Sequence, residues 1–322
     1  MHLRKKGFIS KYLYGKNVID LEEFVVSFAE TCNFNCEYCY LKFSKISTKP
    51  VIYENIENFA TETEELFKNS NKKVFYFNFG ETTDSFLTKK HIEVFSKCCL
   101  IISQKAKFYS KKCFVELRTK TANIFELQNK EILYDNIKIV YGVTLSPKII
   151  INNFEDKTLN LEERIRALWY AQKIGFLIGL RLEPIIIYPV FDITYQTLVE
   201  SVFNTIEEYK KIIAQALASI EAKNLHSISI STLRLTKTQF KFLKEKKSKL
   251  CFPEMILCSD GKFRYSRPIR VTIYRSLINF IENLSKEFIK KVFLSFEFDY
   301  IWDDCNLKIK TLPQISTLTD EI

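Results

Sequence analysis

Cys32, Cys36 and Cys39 lie in the segment Thr31-Cys32-Asn33-Phe34-Asn35-Cys36-Glu37-Tyr38-Cys39-Tyr40, a C-x3-C-x2-C spacing with an aromatic before the last cysteine. Three thiolates on one short loop can hold three irons of a cubane iron–sulfur cluster and leave the fourth without a protein ligand. An open iron can chelate a molecule that carries an amino and a carboxylate group, and can pass it an electron. Other uses of the loop fit less well. A closed zinc site needs four ligands, yet no fourth cysteine lies near, and the only histidines are His2, His91 and His226. An ordinary ferredoxin cluster needs four cysteines. A disulfide framework needs an oxidising compartment, and the chain opens on no signal peptide. The remaining cysteines, Cys98, Cys99, Cys113, Cys251, Cys258 and Cys305, form no second ligand set. Their spacing fits small buried hydrophobes.

The elements that must position this loop are legible as an alternation. Runs rich in Val, Ile and Phe at 24–29, 73–79, 114–118, 138–145, 176–187 and 227–235 read as strands. Polar, charge-patterned helices at 54–68, 90–104, 161–174 and 195–222 lie between them. Thr158 and Asn160 ahead of Glu162 and Glu163 mark a helix start. Six alternations predict an α/β fold with a parallel sheet wrapped into a partial barrel. Residues 1–22 read as a lead-in segment, 23–235 as the barrel, 236–322 as a C-terminal extension, and 311–322 as a loose tail.

In parallel barrels, reacting groups come from the C-terminal ends of strands. Here those ends carry Asn78-Phe79-Gly80-Glu81-Thr82-Thr83-Asp84, then Arg118-Thr119-Lys120-Thr121, then Thr144-Leu145-Ser146-Pro147. Arg181 and Glu183 follow inside the fifth strand, and Ser231, Thr232 and Arg234 at the end of the sixth. A charge within an apolar strand is costly unless it is paired or faces a site. Arg181 and Glu183, two residues apart, share one face of their strand. They read as substrate contacts or as a pair with each other.

Composition sets bounds rather than function. Of 322 residues 47% are hydrophobic, enough for one large core or two small ones. No apolar run is long enough to cross a membrane, because 176–190 is broken by Arg181 and Glu183. The cysteines and the oxygen-sensitive cluster they imply point to the cytoplasm. The net charge of +10 follows a chain rich in Lys and Asn and reads mainly as solvated helix faces. The densest basic stretch is 237–249, which leaves nucleic acid a possible but disfavoured partner.

The cysteine spacing resembles the signature of the radical S-adenosylmethionine (SAM) superfamily. The wider set resembles its spore photoproduct lyase family: Glu37-Tyr38-Cys39-Tyr40-Leu41, Arg118-Thr119-Lys120, Val143 to Pro147, Phe154-Glu155, Leu161 to Ile165, Gly175, and the region 229–240. The likeness runs from about Phe24 to Trp302. It implies a partial (β/α)6 radical SAM barrel holding a [4Fe-4S] cluster on Cys32, Cys36 and Cys39, with SAM beside it. It places Tyr38, Tyr40, Gly80, Glu81, Thr82, Lys120, Thr144 and Ser146 in SAM contact. Glu81, Tyr38 and Tyr40 take catalytic roles, the tyrosines through radical relay. It also implies an electron donor such as flavodoxin or ferredoxin.

One departure bears on the substrate. Where the family's founding member has a hydrogen-donating cysteine, alignment on Phe77 and Asp84 puts Glu81 here. A carboxylic O–H is too strong a bond for that role, and Cys251 or Cys258 would have to replace it. The chain therefore resembles those relatives that act on other substrates, in particular the lyase that cuts queuine at a C–N bond to release 7-aminomethyl-7-deazaguanine. That resemblance implies a small nucleobase substrate held by Asn78, Asp84, Arg181, Glu183 and Arg234. A carboxylate can accept the paired N–H donors of such a base. Repair of a thymine-dimer lesion in DNA is the alternative. A non-catalytic iron–sulfur carrier would leave Lys120 and Gly80-Glu81 without a reason for their placement.

Overall fold

The computed structural model describes residues 2–12, 15, 17–20, 24–43, 49–127, 134–188, 195–251 and 254–307. The expected tail at 311–322 lies outside them. The main sheet has eight strands. They are β1 (Ile9–Lys11), β2 (Phe24–Val26), β3 (Val74–Asn78), β4 (Lys112–Thr119), β5 (Ile137–Thr144), β6 (Leu177–Ile185) and β7 (Leu225–Thr232), followed at the far edge by a late strand of residues Val292–Leu294. All pair in parallel except β1, which runs antiparallel to β2. The six expected strands are present in chain order. The sheet gains one edge strand from residues assigned to the lead-in segment and another from those assigned to the C-terminal extension. Both are three residues long, too short to leave a period-2 pattern.

Long helices cover the outer face: α1 (Ile56–Lys68), α2 (Lys89–Phe108), α4 (Leu161–Lys173) and α5 (Tyr195–Leu217), with the short α3 (Lys148–Phe154) before α4. The start of α4 obeys its sequence signal. The Asn160 side chain accepts from the Glu163 backbone N–H at 2.9 Å, and the Glu163 carboxylate accepts from the Asn160 N–H at 3.2 Å. Phe59, Phe67, Phe95, Leu168 and Ala171 turn from these helices onto Phe75, Phe77, Val115 and Ile139 of the strands, and all are buried. This apolar layer is continuous around the sheet's convex side.

The concave side is polar, and its contacts show that the sheet curls. Adjacent strands lie about 4.8 Å apart, so β4 and β6 would stand about 10 Å apart if flat. Yet Arg181 on β6 donates to Glu116 on β4 at 2.7 Å and reaches the Tyr76 hydroxyl on β3 at 3.5 Å. The strands therefore close partly around a shared interior. Beyond β7 the chain forms a small three-stranded sheet of β8 (Arg234–Thr236), β9 (Met255–Leu257) and β10 (Lys262–Tyr265). Between β8 and β9 runs α6 (Lys237–Glu245); α7 (Arg267–Leu284) leads on to the late edge strand, β11 (Val292–Leu294). No described helix is long and apolar enough to cross a membrane.

Candidate active site

The cysteine loop follows β2 and is held by partners far away in the chain. Thr31 enters it in the left-handed region, φ 69°. Its N–H donates to the Thr82 carbonyl and its own carbonyl accepts from the Thr83 hydroxyl, both at 2.9 Å. Further on, the Glu37 N–H donates to the Phe154 carbonyl at 2.8 Å. The Tyr38 carbonyl accepts from Gln239 Nε2 at 3.1 Å. Gln239 is itself fixed, because it closes the N-terminal capping box of α6 with Thr236. The loop is thus pinned from the β3 end, from α3 and from α6.

Cys32, Cys36 and Cys39 line a cavity of about 1610 Å³ at the C-terminal ends of the strands. Gly80, Glu81, Thr83, Asp84, Arg118, Lys120 and Thr144 line the same space. Gly80 has a steric reason: a Cβ there would lie 2.8 Å from Arg118 Cγ and overlap Arg118 Cβ outright. The backbone can pass against Arg118 only without a side chain. Glu81 accepts from the hydroxyls of Tyr12 and Tyr40, each 3.2 Å from Oε1, and its Oε2 lies 4.0 Å from the Arg118 guanidinium. Asp84 clamps two strand ends together. Its Oδ1 accepts from Thr119 Oγ1 at 2.7 Å and its Oδ2 from the Lys120 N–H at 2.7 Å. Burial lifts its carboxyl to about 6 against these hydrogen bonds.

Behind the cavity wall, Glu155 is the centre of a buried polar hub. It accepts from Tyr38 Oη at 2.6 Å, Ser146 Oγ at 2.9 Å and Arg164 Nη2 at 2.5 Å. Lys120 Nζ lies 3.7 Å from it and donates to Tyr38 Oη at 2.7 Å. Burial alone would raise the Glu155 carboxyl; Lys120 and Arg164 overcome it and hold it at about 2. Lys120 thus lines the cavity with its ammonium held by Tyr38 and Glu155.

The floor of the barrel is a second ion network. Glu116 is fully buried and receives Arg118 Nε at 3.0 Å and Arg181 Nε at 2.7 Å. Burial would raise its carboxyl, but the two guanidiniums hold it far below the usual range. Gly142 and Gly179 leave room: a Cβ at Gly179 would lie 2.6 Å from Arg181 Nη2, and one at Gly142 would overlap Glu116.

These positions sort the expected site residues. Brought together at the cavity are Cys32, Cys36, Cys39, Tyr40, Gly80, Glu81, Asp84, Lys120 and Thr144. Tyr38 and Ser146 lie behind it in the Glu155 hub. Thr82 is spent on the Ala29 carbonyl at 2.7 Å, and Asn78 accepts from the Gly80 N–H at 2.8 Å beneath the wall. Arg181 is 2% exposed and faces the floor, where it pairs with Glu116 rather than with Glu183. Glu183 instead accepts from the Ser229 hydroxyl. Arg234 sits on β8 with its guanidinium 4.0 Å above the Phe296 ring. Neither thiol weighed as a hydrogen donor lines the cavity: Cys251 donates to the Phe240 carbonyl at 3.7 Å and Cys258 to that of Ile256 at 3.9 Å. Glu116, Glu155, Arg164 and Tyr12 escaped the sequence reading as site residues. For Glu116 the signal was present, a carboxylate two residues before Arg118 in an apolar strand.

The donor set fits a cluster better than a single ion. Among the described residues, no three His, Cys, Asp or Glu side chains converge tightly enough to hold one metal. A cubane distributes its irons over separate corners, so its thiolates need to face a common space rather than meet at a point. Burial, then Asp84, pushes the Cys32 thiol up to about 12, so the thiols of the free loop are protonated and cluster binding releases those protons. The cavity exceeds the roughly 300–1,000 Å³ of ordinary small-molecule sites and has room for a cofactor beside a substrate.

A family model described as spore photoproduct lyase matches residues 11–251. The spore photoproduct lyase of Bacillus subtilis (strain 168) is 26% identical over 187 residues, covering 55% of this chain and 50% of that protein. The chain thus spans about half the length of the curated relative it matches. Among solved structures, a spore photoproduct lyase point mutant superposes with a TM-score of 0.69 at 15% identity over 92% of this chain and 81% of its own. A double mutant with bound AdoMet and dinucleoside spore photoproduct gives 0.67 at 18% identity over 86% and 77%. These likenesses establish the partial-barrel fold of radical SAM enzymes.

Proposed function

The chain belongs to the spore photoproduct lyase family, and we propose that it is a radical SAM lyase acting on a thymine-dimer lesion of the spore photoproduct type. The observation that carries the reading is that the three cluster thiols, Glu81, Lys120 and Thr144 line one cavity at the strand ends. Cys32, Cys36 and Cys39 would hold a [4Fe-4S] cluster, which would supply the electron for reductive cleavage of SAM and so the radical chemistry at a substrate carbon.

The chain's own groups prepare that event. Lys120, propped by Tyr38 and Glu155, offers a fixed ammonium to the SAM carboxylate. Glu81 offers a carboxylate to the SAM ammonium, and Gly80 lets the backbone approach. Thr144 adds a hydroxyl at the rim. Tyr40 lines the cavity and stands against Glu81, and with Cys251 and Cys258 both outside the cavity its O–H is the group assigned to return a hydrogen atom to the product radical. Tyr38 acts as a positioning residue for Lys120. A flavodoxin or ferredoxin fits the need for a one-electron donor.

The queuine reading is the less supported of the two. It needed carboxylates open to a base edge, yet both Asp84 oxygens accept from the chain itself and Glu183 is engaged by Ser229. Arg181 is committed to Glu116. The curated relatives that match are spore photoproduct lyases. A carbon–carbon lyase therefore replaces the carbon–nitrogen lyase as the favoured class.

The test is anaerobic reconstitution with iron and sulfide, then SAM and a reductant, with a spore photoproduct dinucleotide and queuine supplied in parallel. The expected outcome is 5′-deoxyadenosine together with the thymine dinucleotide freed of its base–base cross-link. Consumption of queuine with the lesion untouched would overturn the substrate; no 5′-deoxyadenosine under any condition would overturn the enzyme class.

A further inference from the structure

β1 and β11 are the outer strands of the main sheet, so they border the open side of the partial barrel. The segments that run on from them meet each other. Val18 and Ile19 pair antiparallel with Phe298 and Glu297. Asp20 accepts from the Ser295 hydroxyl at 3.0 Å and from the Phe296 N–H at 3.1 Å. Phe296 is buried and adopts φ 53°, a region that an aromatic residue rarely enters, so these contacts rather than local preference set its place. Its ring lies 4.9 Å from the ring of Tyr12, the residue after β1. The Tyr12 hydroxyl in turn donates to Glu81 Oε1 at 3.2 Å. A seam between the two sheet edges thus ends on a carboxylate of the cavity.

The other groups around Glu81 orient it less well. Tyr40 has one hydroxyl proton, and Glu81 offers it two acceptors, the backbone carbonyl and, at 3.2 Å, Oε1. A proton given to the carbonyl is lost to the carboxylate. Arg118 lies 4.0 Å from Oε2 but is drawn the other way by Glu116 at 3.0 Å. Lys262 feels the Glu81 charge, and that of Asp260 as well. Attraction between charges at such range has little directional preference, whereas a hydrogen bond has a strong one. Tyr12 meets Glu81 at the carboxylate, and its ring is backed by Phe296.

We propose that Tyr12 is a positioning residue for SAM: its hydroxyl turns Oε1 of Glu81 aside and leaves Oε2 to accept from the SAM ammonium. Phe296, held by Asp20, keeps Tyr12 in place, so closure of the seam contributes to cofactor affinity. This rests on the reading that Glu81 takes the SAM ammonium and adds the group that orients it.

The experiment measures, by equilibrium dialysis on the cluster-loaded protein, the affinity for SAM and for the SAM analogue that lacks the α-amino group. Wild type is expected to prefer SAM by roughly 10- to 100-fold, the scale of one charge-assisted hydrogen bond. Tyr12→Phe keeps the ring against Phe296 and removes the hydroxyl alone. It should weaken SAM binding roughly 3- to 10-fold, less than loss of the direct contact, and leave binding of the analogue unchanged. Phe296→Leu should lower the preference for SAM in the same direction, through a looser Tyr12. Glu81→Gln tests the underlying contact and should remove most of the preference. Thermal unfolding and iron content check that each variant is folded and loaded. If Tyr12→Phe weakens SAM and the analogue alike, or neither, while Glu81→Gln removes the preference, the Tyr12 role falls and the Glu81 contact stands. If wild type shows no preference, or Glu81→Gln retains it, both fall together.

Discussion

Glu155→Gln is the sharpest test of how the site is held. The carboxylate accepts from Tyr38, Ser146 and Arg164 and stands 3.7 Å from Lys120, all within a buried hub. Glutamine keeps the shape but brings an NH2 group against cationic donors and leaves Arg164 and Lys120 without their counter-charge. Breaking a buried pair by removing one partner costs about 3–5 kcal/mol. A second route gives a similar figure. The carboxyl is held at about 2 against an ordinary 4.5, which at 1.36 kcal/mol per unit corresponds to about 3 kcal/mol at neutral pH. At roughly 2 °C per kcal/mol for a chain of this size, the variant should unfold about 6–10 °C lower. Because the folded pKa is depressed, this stability is complete above pH 4.5 and is lost as pH falls from 4.5 towards 2. Urea unfolding of the iron-free proteins should therefore show a gap that is constant near neutrality and narrows below pH 4.5. The variant should also retain less cluster, since Tyr38 and the Phe154 carbonyl anchor the cysteine loop beside this hub. Wild-type unfolding at neutral pH, or a gap that persists undiminished to pH 3, would refute the hub.

Two further outcomes follow from the same geometry. Gly80→Ala should cost about 1–3 kcal/mol by overlap with Arg118, and because that overlap displaces Glu81 it should weaken SAM binding at least tenfold in equilibrium dialysis; wild-type SAM affinity would remove Gly80 from the site. Arg181→Met should lower unfolding stability by roughly 3 kcal/mol, by uncovering Glu116, yet leave SAM and lesion affinity of the folded protein unchanged; reduced affinity at unchanged stability would return Arg181 to the substrate contacts.

The parts of the site that were legible in the sequence are those fixed by local spacing. The cysteine loop, Gly80-Glu81 and Lys120 all follow strands that announce themselves by apolar runs, so their placement on one rim followed from alternation alone. Arg181 shows where such reasoning stops. Its charge inside an apolar strand was correctly read as costly without a partner. That partner is Glu116, 65 residues away and two strands over. Only the curl of the sheet brings them together, and curl leaves no mark in a single strand. Glu183, on the same strand face, was subject to the same ambiguity and resolved onto Ser229. Tyr12 and Phe296 were missed because each sits outside the alternation, one beside a three-residue edge strand and the other in a turn.

The cysteine loop itself carries little information about its own shape. Its N–H and carbonyl groups are satisfied by Thr82, Thr83, Phe154 and Gln239, which come from three separate stretches of the chain. The Gln239 contact spans 201 residues and originates in the segment read as a C-terminal extension. That segment also returns β11 to the sheet edge, through Val292 paired with Ile228. It therefore does more than cover one end of the barrel. From α6, Phe242, Leu243 and Lys246 line the same cavity as the cysteines. The same segment holds Lys262 and Phe296, whose ring meets Tyr12 at 4.9 Å, and Tyr12 in turn donates to Glu81 of the cavity wall, so the extension and the wall of the cavity are parts of one folded unit.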